Sequence, residues 1–209
     1  MALEARARTQ LAVTPYPAAP EISPTFQSQV AAMAQRLGVD PAHLLAVMWF
    51  ESRLTPNAKN PASSAVGLIQ FLPSVAADLL GLRGAGREKR AVATIEKMPA
   101  EDQLGLVEAY LGRVMRGRRI TSLRDLYMCV LFPTAVGRGS GFAIARSDAS
   151  TPLGRAVYAQ NAALDANKDG IVTAGEAAAA VEGASRMPAL KKIVADVTAP
   201  ALPPGALRA

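Results

Sequence analysis

The sequence holds one cysteine, one histidine and no long apolar run, and each shortage removes a class of protein. A single thiol, Cys129, cannot build a disulfide framework or a cysteine-based metal cluster. It falls in the apolar stretch Leu126 to Phe132, where a small residue reads as core. The lone His43 stands at an expected helix start without metal-ligand partners, so it reads as structural. No segment approaches the roughly 20 apolar residues of a membrane span. The N-terminal stretch MALEARARTQLAVTPYPAAP has scattered arginines but not the apolar centre of a secretory signal. The expectation is no signal peptide and no membrane span, with any delivery out of the cell made by another system. Charged residues are also few, at 19% against 50% hydrophobic, which is the balance of a globular chain rather than a disordered one. No alternating strand pattern and no solenoid repeat is visible.

What is present is a chain of 209 residues, long enough for one domain with a small appendage. Its net charge of +6 implies an anionic partner. Charge alone does not choose among nucleic acid, acidic wall polymers and membrane surfaces. Two basic stretches, RGAGREKR from Arg83 to Arg90 and RVMRGRR from Arg113 to Arg119, read as solvated helix ends. The alternative is a seat for an anionic wall polymer.

Residues 1–24 carry four prolines and no sustained period, and read as an extended arm. The Pro-rich tail 199–209 reads the same way. Between them, helical spacing predicts helices near 25–37, 41–54, 73–80, 88–97, 99–115, 121–131, 152–164, 174–186 and 188–197. Asp40-Pro41 supplies an N-cap followed by proline in the first turn. The predicted fold class is all-α, with a main body over 25–150 and a further helical segment over 151–198 packed on it.

Helix 41–54 reads PAHLLAVMWFESRL. Leu44, Val47, Met48 and Glu51 share one stripe at helical spacing, so Glu51 should face the core. A carboxylate placed there is desolvated and shifts toward its neutral form. A protonated glutamic acid is what a glycosidase needs to protonate a leaving oxygen. The plainer alternative is an exposed glutamate near a helix end, paired with Arg53.

The following segment, ESRLTPNAKNPASSAVGLIQFL over 51–72, joins a Glu-Ser helix end to a polar loop, then Gly-Leu-Ile-Gln, then Pro73-Ser74. In order and spacing it resembles the soluble lytic transglycosylases of the lysozyme-like group, with Ile69 where their pattern carries methionine. The resemblance implies an all-helical lysozyme-like fold acting on peptidoglycan glycan strands. It assigns the acid/base role to Glu51, with Ser52 supporting it. Gly67, Leu68, Ile69 and Gln70 would line the glycan groove, Gly67 allowing close approach of a sugar and Gln70 offering a donor and acceptors. A tyrosine on a facing helix belongs to the same pattern. Tyr127 is the candidate, although Met128 follows it where better-known members carry asparagine, and a buried core tyrosine is the alternative.

No second carboxylate is tied to this motif. Asp78, Glu101 and Asp102 exist without an evident partner role, whereas a two-carboxylate hydrolase needs such a group. The expectation is therefore a lytic transglycosylase cleaving the β-1,4 bond between N-acetylmuramic acid and N-acetylglucosamine, leaving 1,6-anhydro ends. The alternatives are a hydrolytic muramidase on the same fold, or a non-catalytic wall-binding or virion protein.

Near the C-terminus, residues 165–176 read DANKDGIVTAGE. Asp165, Asn167, Asp169, Gly170 and Glu176 stand where the calcium loop of an EF-hand places its ligands and its turn glycine. Ile171 would add its backbone carbonyl, and Thr173 a direct or water-borne contact. Thr173 and Glu176 also form a capping box for the next helix, which alone explains neither the acidic positions nor Gly170. The expected cofactor is one structural calcium ion. The run VYAQNAALDANKDG is similar to a loop attached to some phage-associated peptidoglycan lyases. That similarity suggests virion association, with virion or secretion-apparatus proteins as partners and no nucleic acid.

Overall fold

The computed structural model describes residues 21–61 and 63–199. Residues 1–20 of the expected arm (1–24) and 200–209 of the expected tail (199–209) lie outside them, as does the signal-peptide question, and Pro24 at the arm's end already opens a helix. Among the described residues the chain forms nine α-helices and two short strands. In order they are α1 (Pro24–Leu37), α2 (Pro41–Ser52), α3 (Pro73–Leu79), α4 (Arg87–Ile95), α5 (Ala100–Met115), α6 (Leu123–Leu131), β1 (Ala143–Arg146), α7 (Pro152–Asn161), β2 (Ile171–Thr173), α8 (Ala174–Ser185) and α9 (Pro188–Thr198). The fold is the expected all-helical one, and none of these helices is long and apolar enough to cross a membrane.

Helix starts follow the local chemistry. Ser23 caps α1 by accepting from the Phe26 amide, and Asp40 caps α2 by accepting from the Ala42 amide at 2.8 Å. Each helix has proline in its first turn, where no amide is needed. Helix α1 ends on Gly38 in the left-handed region (φ 66°), whose amide reaches back to the Ala34 and Gln35 carbonyls.

Helix α2 is the centre of the protein. Leu44, Leu45, Ala46, Val47, Met48, Trp49, Glu51 and Ser52 are all buried, because α1, α6, α8 and α9 pack around it. The stripe seen in the sequence is therefore part of a helix enclosed on nearly every side. Removing each large side chain from water contributes about 1.5–3 kcal/mol. Helix α8 offers Ala174, Ala177, Ala178, Val181 and Ala184 as its buried face, and such short side chains let it approach α2 and α6 closely. One apolar cluster runs from Phe26 on α1 through to Val197 on α9.

The two strands depart from the sequence expectation. Ala143–Arg146 pairs antiparallel with Ile171–Thr173, with an irregularity between Ala143 and Ala145. Segments this short carry no readable alternation, so β1 went unseen.

Candidate active site and the oxygen-rich loop

Helix α2 stops one residue after the glutamate. Arg53 and Leu54 both adopt left-handed φ values, 55° and 59°, so the predicted helix is two residues too long. The reversal buries Leu54 and turns the chain into the loop that leads to Gly67. Glu51 is 5% exposed, which rules out the freely solvated glutamate. Arg53 lies with its guanidinium 5.5 Å from the Trp49 ring centroid and donates to the Trp49 carbonyl at 3.2 Å.

Ser52 ties this helix end to the Gly-Leu-Ile-Gln segment. Its hydroxyl lies 3.0 Å from the Met48 carbonyl and 2.9 Å from the Leu68 carbonyl, both acceptors within its reach. Its single proton serves one at a time or is shared. Gly67 donates to the Ala58 carbonyl at 2.9 Å, and Val66 and Phe71 exchange backbone hydrogen bonds at 3.0 and 2.8 Å, closing a tight turn over 67–70. Within the turn, Gln70 sits at φ 52°. Its amide nitrogen donates to the Ala58 and Gly67 carbonyls at 3.1 and 3.0 Å, and its Oε1 has no protein partner among the described residues.

The residues expected to meet the glycan are brought together, but from behind. Ser52, Leu68 and Tyr127 are 0% exposed, Ile69 1% and Gln70 3%, and Gly67 is buried as well. They pack inside the protein rather than forming an open, sugar-facing surface. Gly67 shows the difference most clearly. It has φ 83°, and a Cβ there would lie 2.6 Å from Gln103 Oε1 and 2.9 Å from Ile95 Cγ2. The glycine is demanded by the protein's own packing, whatever a sugar requires. Tyr127 packs edge-on to Phe50, ring centroids 5.4 Å apart, which fastens α6 to the residue before Glu51.

Gln103 is the residue that sequence reasoning passed over. It is wholly buried in the first turn of α5 and its amide touches four backbone groups of this region. A glutamine in a helix carries no sequence signal of this kind. The carboxylates considered as second catalytic groups are placed otherwise. Asp78 pairs with Arg87, Glu101 accepts from the Ser23 hydroxyl, and Asp102 is exposed. The Ser23 hydroxyl first, then an N–H group, hold Glu101 below the usual carboxylate range. Cys129 is buried, and desolvation pushes its thiol up to about 12, so it remains protonated and inert.

The 165–176 loop lies between α7 and α8. Asp165 accepts from the Gly170 and Asp169 amides at 2.9 and 3.2 Å and from the Tyr158 hydroxyl at 2.7 Å. Tyr158 is the largest influence holding the Asp165 carboxyl below its ordinary range. Asn167 Oδ1 accepts from the Asp169 amide at 3.0 Å, and Asp169 from the Ile171 amide at 2.8 Å. Gly170 makes the turn at φ 84°. Glu176 reaches across the loop to accept from Ala166 at 3.1 Å and Thr173 at 2.9 Å, and the capping box with Thr173 is formed. Burial opposes charge on Glu176, but these donors prevail and hold it low.

Among the described residues no three His, Cys, Asp or Glu side chains already converge as a metal cage. In this loop the carboxylates accept from amides instead. The donor set still fits a hard cation in its chemistry: all oxygen, at alternate positions, wound round a left-handed glycine and open to solvent at Asn167 and Asp169. The Ser147 amide also donates to the Gly170 carbonyl at 2.8 Å, so β1 flanks the loop where a paired EF-hand would set a second loop.

No curated protein matches the chain. Residues 28–92 match the model of the transglycosylase SLT domain, a span running from within α1 to within α4 and containing Glu51, Ser52 and Gly67 to Gln70. Tyr127, Gln103 and the 165–176 loop lie beyond it. On that match, the segment 28–92 belongs to the transglycosylase SLT family, lysozyme-like enzymes of the lytic transglycosylase type that act on peptidoglycan.

Proposed function

We propose that the protein is a peptidoglycan lytic transglycosylase with Glu51 as its acid and base, cleaving between N-acetylmuramic acid and N-acetylglucosamine. The observation that carries this reading is the carboxyl of Glu51, 5% exposed at the end of α2, within the family-matched segment and joined to Gly67–Gln70 through Ser52. Glu51 protonates the bridging oxygen and the bond to the muramic C1 breaks, leaving an oxocarbenium-like sugar. The carboxylate so formed removes the proton of that sugar's own 6-hydroxyl, whose oxygen closes on C1. One glutamate thus serves both steps, and no water is consumed. The tethered nucleophile makes a second carboxylate unnecessary. The exposed or engaged state of Asp78, Glu101 and Asp102 supports that choice over a hydrolase. The test is turbidity loss of permeabilised cells. Glu51→Gln keeps the shape and should lose lysis by about 100- to 10,000-fold; lysis at the wild-type rate would remove the assignment.

We further infer that the 165–176 loop holds one calcium ion. Asp165, Asn167, Asp169 and Glu176 would supply side-chain oxygens, Ile171 its carbonyl, and Thr173 a direct or water-borne contact. The ion would supply positive charge among three carboxylates and fasten α7 to α8. Calorimetric titration with calcium tests it, and an absence of binding heat and of any change in melting would refute it.

A further inference from the structure

We propose that Gln103 is a positioning residue for the cleavage reaction: its buried amide clips both ends of the loop that carries the Gly67–Gln70 turn, and so sets that turn against Glu51. The proposal rests on the reading of Glu51 as the catalytic acid.

The loop leaves α2 at Arg53 and returns at Gly67. Gln103 Nε2 donates to the Pro56 carbonyl at 2.7 Å, near the departure, while Oε1 accepts from the Leu68 amide at 3.0 Å, at the return. The same nitrogen reaches the Ile95 and Met98 carbonyls at 3.2 and 3.1 Å. Ile95 is the last residue of α4, its carbonyl also accepting from the Met98 amide at 3.0 Å, and Met98 lies in the turn that follows. Two amide hydrogens therefore serve three carbonyls, and at least one bond is shared.

Leu68 is held at both of its backbone groups. Its amide is on Gln103, and its carbonyl is within hydrogen-bond reach of the hydroxyl of Ser52, the residue after Glu51. The path from α5 to Glu51 thus runs Gln103, Leu68, Ser52, with no gap. Gly67 is part of the same device, since any Cβ there would meet Gln103 Oε1 at 2.6 Å. A glutamate at 103 would turn a carboxylate toward three carbonyls. An asparagine is one methylene too short to reach Pro56 and Leu68 together. Gln103 is buried and touches no substrate in this account; it acts through the backbone it holds.

The variants are Gln103→Met, which keeps length and loses every hydrogen bond, and Gln103→Asn, which keeps the amide and loses reach. Both are assayed on soluble glycan strands at a temperature where circular dichroism finds them fully folded. A misplacement of about 1 Å at a catalytic group costs roughly 100-fold in rate. The expected result is kcat lowered on that order with KM near the wild-type value, together with faster hydrogen exchange at the Leu68 amide by NMR. If Gln103→Met does not fold, Gln103→Asn is read by the same two measures. Unchanged kcat per folded molecule, or unchanged protection of the Leu68 amide, would overturn the proposal. Glu51→Gln is run beside them: if it cleaves like the wild type, the catalytic reading fails. Leu68 exchange needs no activity, so the two failures are told apart.

Discussion

Replacing Gly67 with alanine perturbs the site wall at one atom, and the structure allows its cost to be worked out. The new Cβ would lie 2.6 Å from Gln103 Oε1 and 2.9 Å from Ile95 Cγ2, at φ 83°. The left-handed backbone costs a residue with a Cβ about 1–2 kcal/mol. If Gln103 withdraws, the Leu68 amide is left buried without a partner, at about 1–3 kcal/mol. The sum is about 2–5 kcal/mol. In a chain of this size each kcal/mol lowers Tm by roughly 2–4 °C, so Gly67→Ala should melt roughly 4–20 °C below the wild type. Circular dichroism melts under matched conditions measure it. The cost should shrink when Gly67→Ala is made on top of Gln103→Ala, because only the backbone cost and the Ile95 contact then remain. A single-mutant shift within about 2 °C of zero, or a cost undiminished in the double mutant, would refute the reasoning.

Three further outcomes follow from other parts of the molecule. Calcium at about 100 times its Kd should stabilise the protein by about 2.7 kcal/mol, and Asp165→Ala with Glu176→Ala should erase the difference between calcium and chelator melts; identical melts for the wild type would contradict the site. Ser23→Ala should cost about 1 kcal/mol as a lost N-cap. It should also let Glu101 titrate closer to its ordinary value of 4.5, as NMR titration would register. Since the folded value is lowered, that contact stabilises the wild type above the unfolded pKa, and the gain disappears as pH falls through the folded one. Cys129, with its thiol pushed up to about 12, should react with a thiol reagent at pH 8 no faster than the protein unfolds, and immediate labelling would contradict its burial.

The helices and their starts were legible because caps and prolines act locally: Asp40-Pro41, Pro73 and Thr151-Pro152 each open a helix near where the sequence places it. Glu51 was legible because its position on the apolar spacing of α2 agrees with its burial. The limits lie where tertiary contacts decide. Arg53 and Leu54 adopt left-handed backbone to bury Leu54, which no propensity of either residue foretells. The strand β1 exists because it borders the 165–176 loop, a contact between distant segments. Gly67 reads as a place for a sugar until Gln103, far along the chain, is seen to fill the space a Cβ would take. A buried glutamine that binds only backbone leaves no trace in spacing or composition, and so Gln103 emerged from the structure alone.

The most direct test of the central claim is the mass of muropeptides released from purified peptidoglycan by the wild-type protein, with Glu51→Gln alongside. The account predicts products ending in 1,6-anhydro-N-acetylmuramic acid, one water lighter than hydrolysed fragments, resistant to borohydride, and missing from the Glu51→Gln digest. A digest made only of reducible ends would contradict it, and would make Glu51 the acid of a hydrolase.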